Sequence, residues 1–150
     1  MKIAIGSDHA GFLLKETLRN WLEIQGYEVI DCGTYSEERA DYPVYGQAVA
    51  LKVSSHEVDF GVLVCGSGQG ICMAANKVAG VRAAVIRDNE DSEMTRAHND
   101  ANIACFGERI TDSETAIAAL QVFLNSPFEG GRHEGRVKLL DDIDAGKTIC

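Results

Sequence analysis

The chain has 150 residues, enough for a single domain (1–150) that buries about two thirds of its unfolded surface. Its apolar share of 45% beside 25% charged residues is ordinary for a globular protein, and no apolar run nears the roughly 20 residues a membrane helix needs. A formal net charge of −9 argues against nucleic acid and anionic membranes as partners, since the surface repels both.

Short β-branched runs alternate with helical patterns. Residues 2–6 read as a first strand and not as a signal peptide. A helix over 11–25 follows, with Leu14, Leu18, Trp21 and Leu22 on one stripe and Gly26 at its end. Residues 27–32 make a second strand, 33–42 a polar loop, and Pro43 opens a helix to about Ser54. Strands are expected over 60–65, 81–86 and 102–106, and helices near 70–77 and 90–98. A further helix covers 113–124, and a last one, over 134–145, follows Glu129-Gly130-Gly131. No repeat or linker interrupts the series.

Five strands joined by helical crossovers predict an α/β Rossmann-like three-layer sandwich, a parallel sheet in the order 2-1-3-4-5 with helices on both faces. Ligands in such folds bind beyond the carboxyl ends of the strands where the order reverses, here between strands one and three. Two loops meet there: Ser7-Asp8-His9-Ala10-Gly11 and Gly66-Ser67-Gly68-Gln69-Gly70. Cys65 ends strand three at the mouth of the second loop. Backbone N–H groups crowding around it, together with the start of a helix, favour thiolate over thiol. Cys65 is therefore a candidate base or nucleophile, although a free cysteine at a strand end is more often simply buried.

The glycine loop meets neither the dinucleotide fingerprint nor the P-loop pattern. Ile71 stands where a cysteine phosphatase carries its phosphate-holding arginine, which removes that chemistry. Asp8 and His9 suit either a helix cap or contacts to a sugar hydroxyl and a phosphate. Arg132 and Arg136, spaced i, i+4 just after Gly130-Gly131, suit a phosphate clamp in a chain with only 14 Lys and Arg. His98 precedes strand five, so the expected strand order puts it on the opposite edge of the sheet from Cys65. If both act in one reaction, His98 comes from a second copy of the chain. No cluster shows metal-ligand spacing, so no metal is expected. The cysteines at 32, 65, 72, 105 and 150 form no C-x-x-C pair and are odd in number, which suits reduced thiols in the cytoplasm.

Six segments together resemble one family: Gly6-Ser7-Asp8-His9-Ala10-Gly11, Asp41-Tyr42-Pro43, Cys65-Gly66-Ser67-Gly68-Gln69-Gly70, Ala74-Ala75-Asn76-Lys77, His98-Asn99-Asp100-Ala101-Asn102 and Glu129-Gly130-Gly131-Arg132-His133. The chain is similar to type B ribose-5-phosphate isomerases, of the superfamily that also holds galactose-6-phosphate isomerase subunits, over nearly its whole length. The resemblance implies a Rossmann-like homodimer with shared active sites, sometimes paired into tetramers. It further implies the interconversion of ribose 5-phosphate and ribulose 5-phosphate without cofactor, with the last helix at the dimer interface. It makes Cys65 the proton-abstracting base, His98 the residue that opens the sugar ring from across the interface, and the hydroxyl of Ser67 a proton carrier between O1 and O2. Asp8, His9, Gly66, Ser67, Gly68, Gln69, Gly70, Asn99, Arg109, Arg132 and Arg136 match ligand-binding positions. Some relatives use a glutamate where Ile71 stands and lack the cysteine; here only the thiol is present. The His98-Asn99-Asp100 run favours the pentose enzyme, and Arg87-Asp88 looks more like the galactose relatives. A hexose-phosphate isomerase and a non-catalytic phosphosugar-binding protein stay open as alternatives.

Overall fold

The computed structural model describes residues 1–150. Five parallel strands form one sheet: β1 (Lys2–Ser7), β2 (Glu28–Asp31), β3 (Phe60–Cys65), β4 (Ala83–Val85) and β5 (Ile103–Gly107). Six α-helices surround it: α1 (Phe12–Ile24), α2 (Tyr42–Ser54), α3 (Gln69–Ala75), α4 (Asn89–Asn99), α5 (Ser113–Asn125) and α6 (Glu134–Asp144). Short 3-10 turns, His9–Gly11 and Gly131–His133, lead into α1 and α6. The expected α/β sandwich is present, and each strand and helix lies where the hydrophobic pattern places it.

The strand order differs from expectation: it is 2-1-3-5-4, not 2-1-3-4-5. The reason lies in what each strand can bury. All five residues of β5 are buried, and an apolar strand covered on both faces belongs inside a parallel sheet. β4 is three residues long, only half-buried, and preceded by Arg82, so it takes the edge. Its outward backbone is met by the side chain of Asn76, whose Oδ1 accepts from Ala83 N–H (2.8 Å) and whose Nδ2 donates to Ala83 O (2.9 Å). That pairing blunts the edge.

Right-handed crossovers then fix the layers. One apolar cluster packs Leu14, Leu18, Leu22, Leu120 and Phe123, from α1 and α5, under one face of the sheet around Phe106. A second packs Val49, Val53 and Ile71, from α2 and α3, on the other around Leu63 and Cys105. Because the chain turns back between β4 and β5, α4 lies beside α5 on the first face. The exchange has a consequence for the site: the loop after β5 stands next to the loop after β3.

Candidate active site

β3 ends in the only thiol that meets a glycine loop. Cys65 pairs with Gly107 of β5, and its side chain is 4% exposed. Glu108 N–H donates to Cys65 O (2.9 Å) and Arg109 N–H to Gly66 O (3.1 Å), so the two loops are stitched along their backbones. Gly107 is required by this approach, since a Cβ there would lie 2.6 Å from the carbonyl carbon of Ser67. Within the loop, Gly68 N–H donates to Cys65 Sγ at 3.2 Å, which aims one amide dipole at the sulfur that would carry charge. Ser67 is exposed at the tip and its Oγ accepts from Gln69 N–H (3.2 Å).

Other groups close around this mouth. Asp8, buried at the end of β1, accepts from Gly11 N–H (3.1 Å) and thus caps the turn before α1, the plainer of its two expected roles. His9 sets Nδ1 against the Ala40 backbone (3.1 and 3.2 Å), which leaves Nε2 free for a ligand. The Arg109 guanidinium lies over Gly66, with Nη1 3.1 Å from where a Cβ would be. Tyr42 covers Gly70 in the same way, its ring 2.8 Å from a Cβ built there. Tyr42 was not among the site residues expected from the sequence; its signal was its place in the Asp41-Tyr42-Pro43 motif. Glu108 also went unnoticed, and its Oε1 holds the start of α1 by accepting from Leu14 N–H (2.6 Å).

The remaining expected residues are elsewhere. His98 and Asn99 end α4, and Arg132 and Arg136 flank the start of α6, all at the amino ends of the strands. Between them and Cys65 lies the buried ladder from Gly61↔Ile103 to Cys65↔Gly107, four residue steps or roughly 13 Å long. The separation runs along the strands, end to end, and not across the sheet to its far edge as the expected strand order implied. The sequence-derived candidates therefore fall into two groups: Asp8, His9, Cys65, the 66–70 loop and Arg109 at one end, and His98, Asn99, Arg132 and Arg136 at the other.

The second group has its own geometry. The His98 ring stacks on His133, centroids 4.3 Å apart and planes 17° from parallel. Glu129 Oε2 lies 3.5 Å from His133 Nε2 and 3.9 Å from His98 Nε2. Burial, then the neighbouring His98 and Arg132, hold His133 below the usual histidine range. The three side chains bring ligand atoms within 4.8 Å of one another. Rings stacked this way direct their in-plane lone pairs side by side, so one must turn before both could meet a single ion. Asn99 borders a hollow of about 460 Å³ together with Arg82, Leu140 and Ile143. Arg87 and Asp88 build the start of α4: Arg87 Nε pairs with Asp91 Oδ2 (2.8 Å), and Asp88 Oδ1 accepts from Asp91 N–H (2.8 Å).

A doubly wound α/β fold with a thiol and a glycine loop at its switch point is a candidate small-anion site. The ribose/galactose isomerase family model matches residues 3–140, and the chain belongs to that family. It is 47% identical over 143 residues to ribose-5-phosphate isomerase B of Escherichia coli K12, covering 95% of this chain and 96% of that one. The solved structure of Clostridium thermocellum ribose-5-phosphate isomerase B superposes with a TM-score of 0.96 at 46% identity, covering 99% and 100% of the two chains. That of Mycoplasma genitalium ribose-5-phosphate isomerase B with bound ribulose-5-phosphate gives 0.93 at 36% identity, covering 97% of each.

Proposed function

We propose that this chain interconverts D-ribose 5-phosphate and D-ribulose 5-phosphate through a cis-enediolate. The observation that carries the reading is the Cys65 sulfur facing the Gly68 amide in a loop closed by Arg109, in a chain whose near relatives are named for this isomerisation. Cys65 takes the proton from C2 of the open aldehyde, backbone N–H groups of residues 66–70 meet the resulting oxyanion, and the proton returns to C1. Ser67, exposed beside the sulfur, carries a proton between O1 and O2. Such a base contributes about 10²–10⁴-fold and each oxyanion donor on the order of 10²–10³. Both are needed, because a carbon acid beside a carbonyl is far weaker than a thiol.

The site is completed by a second copy of the chain. Cations that hold phosphate and the ring-opening histidine are a full strand length from the sulfur in one copy, so an antiparallel pairing is what unites the two groups. Apolar side chains left uncovered support this: Leu139, Leu140 and Ile143 on α6, and Val44 and Met73 on α2 and α3. In that arrangement Arg132 and Arg136 of the partner subunit, with His9, hold the phosphate, and His98 of the partner subunit opens the furanose. The protein works as a single-domain homodimer with α6 at its interface. No helix is long and apolar enough to cross a membrane.

Turnover of a panel of sugar phosphates tests the reading. With C1 and C2 at the sulfur, an extra carbon pushes the phosphate off its cations, so ribose 5-phosphate is expected to exceed allose 6-phosphate and galactose 6-phosphate at least about ten-fold in kcat/KM. Preference for a hexose phosphate, or binding without turnover, would contradict it.

A further inference from the structure

The cluster at the end of α4 contains a carboxylate to which the reaction above gives no task. Glu129 is 57% exposed, yet its position is closely determined. Its backbone N–H donates to Ala97 O (3.0 Å), which ties the segment to the last turn of α4 one residue before His98. The chain then reverses through Gly130 (φ 66°, ψ −138°) and Gly131 (φ 55°), conformations glycine reaches without strain. That reversal returns His133 over the face of His98 and leaves the Glu129 carboxylate beside both Nε2 atoms.

Charged groups surround the pair unevenly. Arg132 Nε donates toward His133 Nε2 (3.4 Å), which occupies that lone pair, and Arg136 adds positive charge from α6. His133 is the buried ring and the one Arg132 faces; His98 is the more exposed and is free of it. From α4 itself no competing cation intervenes, since Arg96 is engaged by Asp100 Oδ1 and Ala101 O.

We infer, resting on the isomerase reading, that Glu129 is a positioning residue for ring opening: at 3.9 Å from His98 Nε2 its carboxylate is near enough to orient the ring against His133 through its charge, yet too far to hydrogen-bond Nε2–H, which stays available to donate. In the step it serves, His98 gives its proton to O4 as the C1–O4 bond breaks and its electron pair stays on O4. The O1–H pair becomes the second bond of C1=O, and the O1 proton leaves to solvent water, from which His98 is reprotonated.

Ribulose 5-phosphate separates this step from the rest, because its O5 carries the phosphate and no furanose can form. Initial rates of Glu129→Gln and Glu129→Asp are measured from each sugar over a range of enzyme concentrations. For Glu129→Gln, the rate from ribose 5-phosphate is expected to fall by on the order of ten-fold or more, and to stop rising with enzyme once uncatalysed ring opening limits it. The rate from ribulose 5-phosphate should fall no more than about two-fold, and Glu129→Asp should recover part of the forward loss. Equal losses from both sugars, or none from either, would overturn the inference. A wild-type protein inactive with both would overturn the isomerase reading itself, and this inference with it.

Discussion

The chain has five thiols, and their surroundings distinguish them. Cys105 is fully enclosed, and burial pushes it well above the usual thiol range. Cys72 packs against it, and burial likewise raises Cys32. Cys150 is exposed. Cys65 alone combines a strand end with an amide aimed at sulfur. Cys65→Ala is therefore expected to lower turnover at least about 10²-fold while sugar-phosphate affinity, read by calorimetry, changes little; retention of most activity would refute the base assignment. The place of Cys65 at the loop mouth was legible in the sequence because strand, thiol and loop are contiguous. The Asp41-Tyr42-Pro43 motif marked Tyr42 but not its contact with Gly70, which spans 28 positions with nothing in either segment announcing the other.

His133 gives a second expectation at this scale. Its folded-state affinity for a proton is below that of an ordinary histidine, so as pH falls through about 6.5 the unfolded chain takes up a proton that the folded chain resists. The stability that neutral His133 contributes is thus present above that pH and lost below it. The melting temperature should drop from about pH 7.5 to about pH 5.5, and His133→Gln should flatten that part of the profile. An unchanged slope in the variant would show that burial of this ring is not linked to pH.

At the scale of elements, periodicity located every strand and helix, with ends displaced by at most about three residues, as is usual where helices fray. It did not order the strands. Alternation and apolar runs say which faces of a strand are covered, while neighbours in a parallel sheet are chosen by long crossovers. The hint was present in the contrast between Val81-Arg82-Ala83, with its charge, and the uninterrupted Ile103-Ala104-Cys105-Phe106. The corrected order matters because it sets Gly107 against Ser67. Gly107→Ala should force the 66–70 loop away from β5, costing about 1–3 kcal/mol and several degrees in melting temperature. On the proposed mechanism it should also lower kcat more than it raises KM, since the displaced groups are those assigned to the reacting carbons. Wild-type kcat in a folded Gly107→Ala protein would mean that the close approach serves packing alone.

For the whole molecule, a single chain keeps the thiol at one end of the sheet and a histidine with two arginines at the other. The two groups stand in motifs visible in the sequence; their separation follows from the direction of parallel strands, which puts every strand-ending loop at one end and every helix-ending loop at the other. A net charge of −9 disfavours polyanions, and the cations exposed near α6 are those that would meet a phosphate in the proposed site. The most direct measurement is a mixed assembly: Cys65→Ala and His98→Ala chains, each with its own tag, are co-expressed and the doubly tagged species is isolated and assayed with ribose 5-phosphate. Such a dimer has one site with both residues intact, so it should recover about half of wild-type activity although each parent is nearly inactive. Doubly tagged dimers no more active than the parents would contradict the shared site.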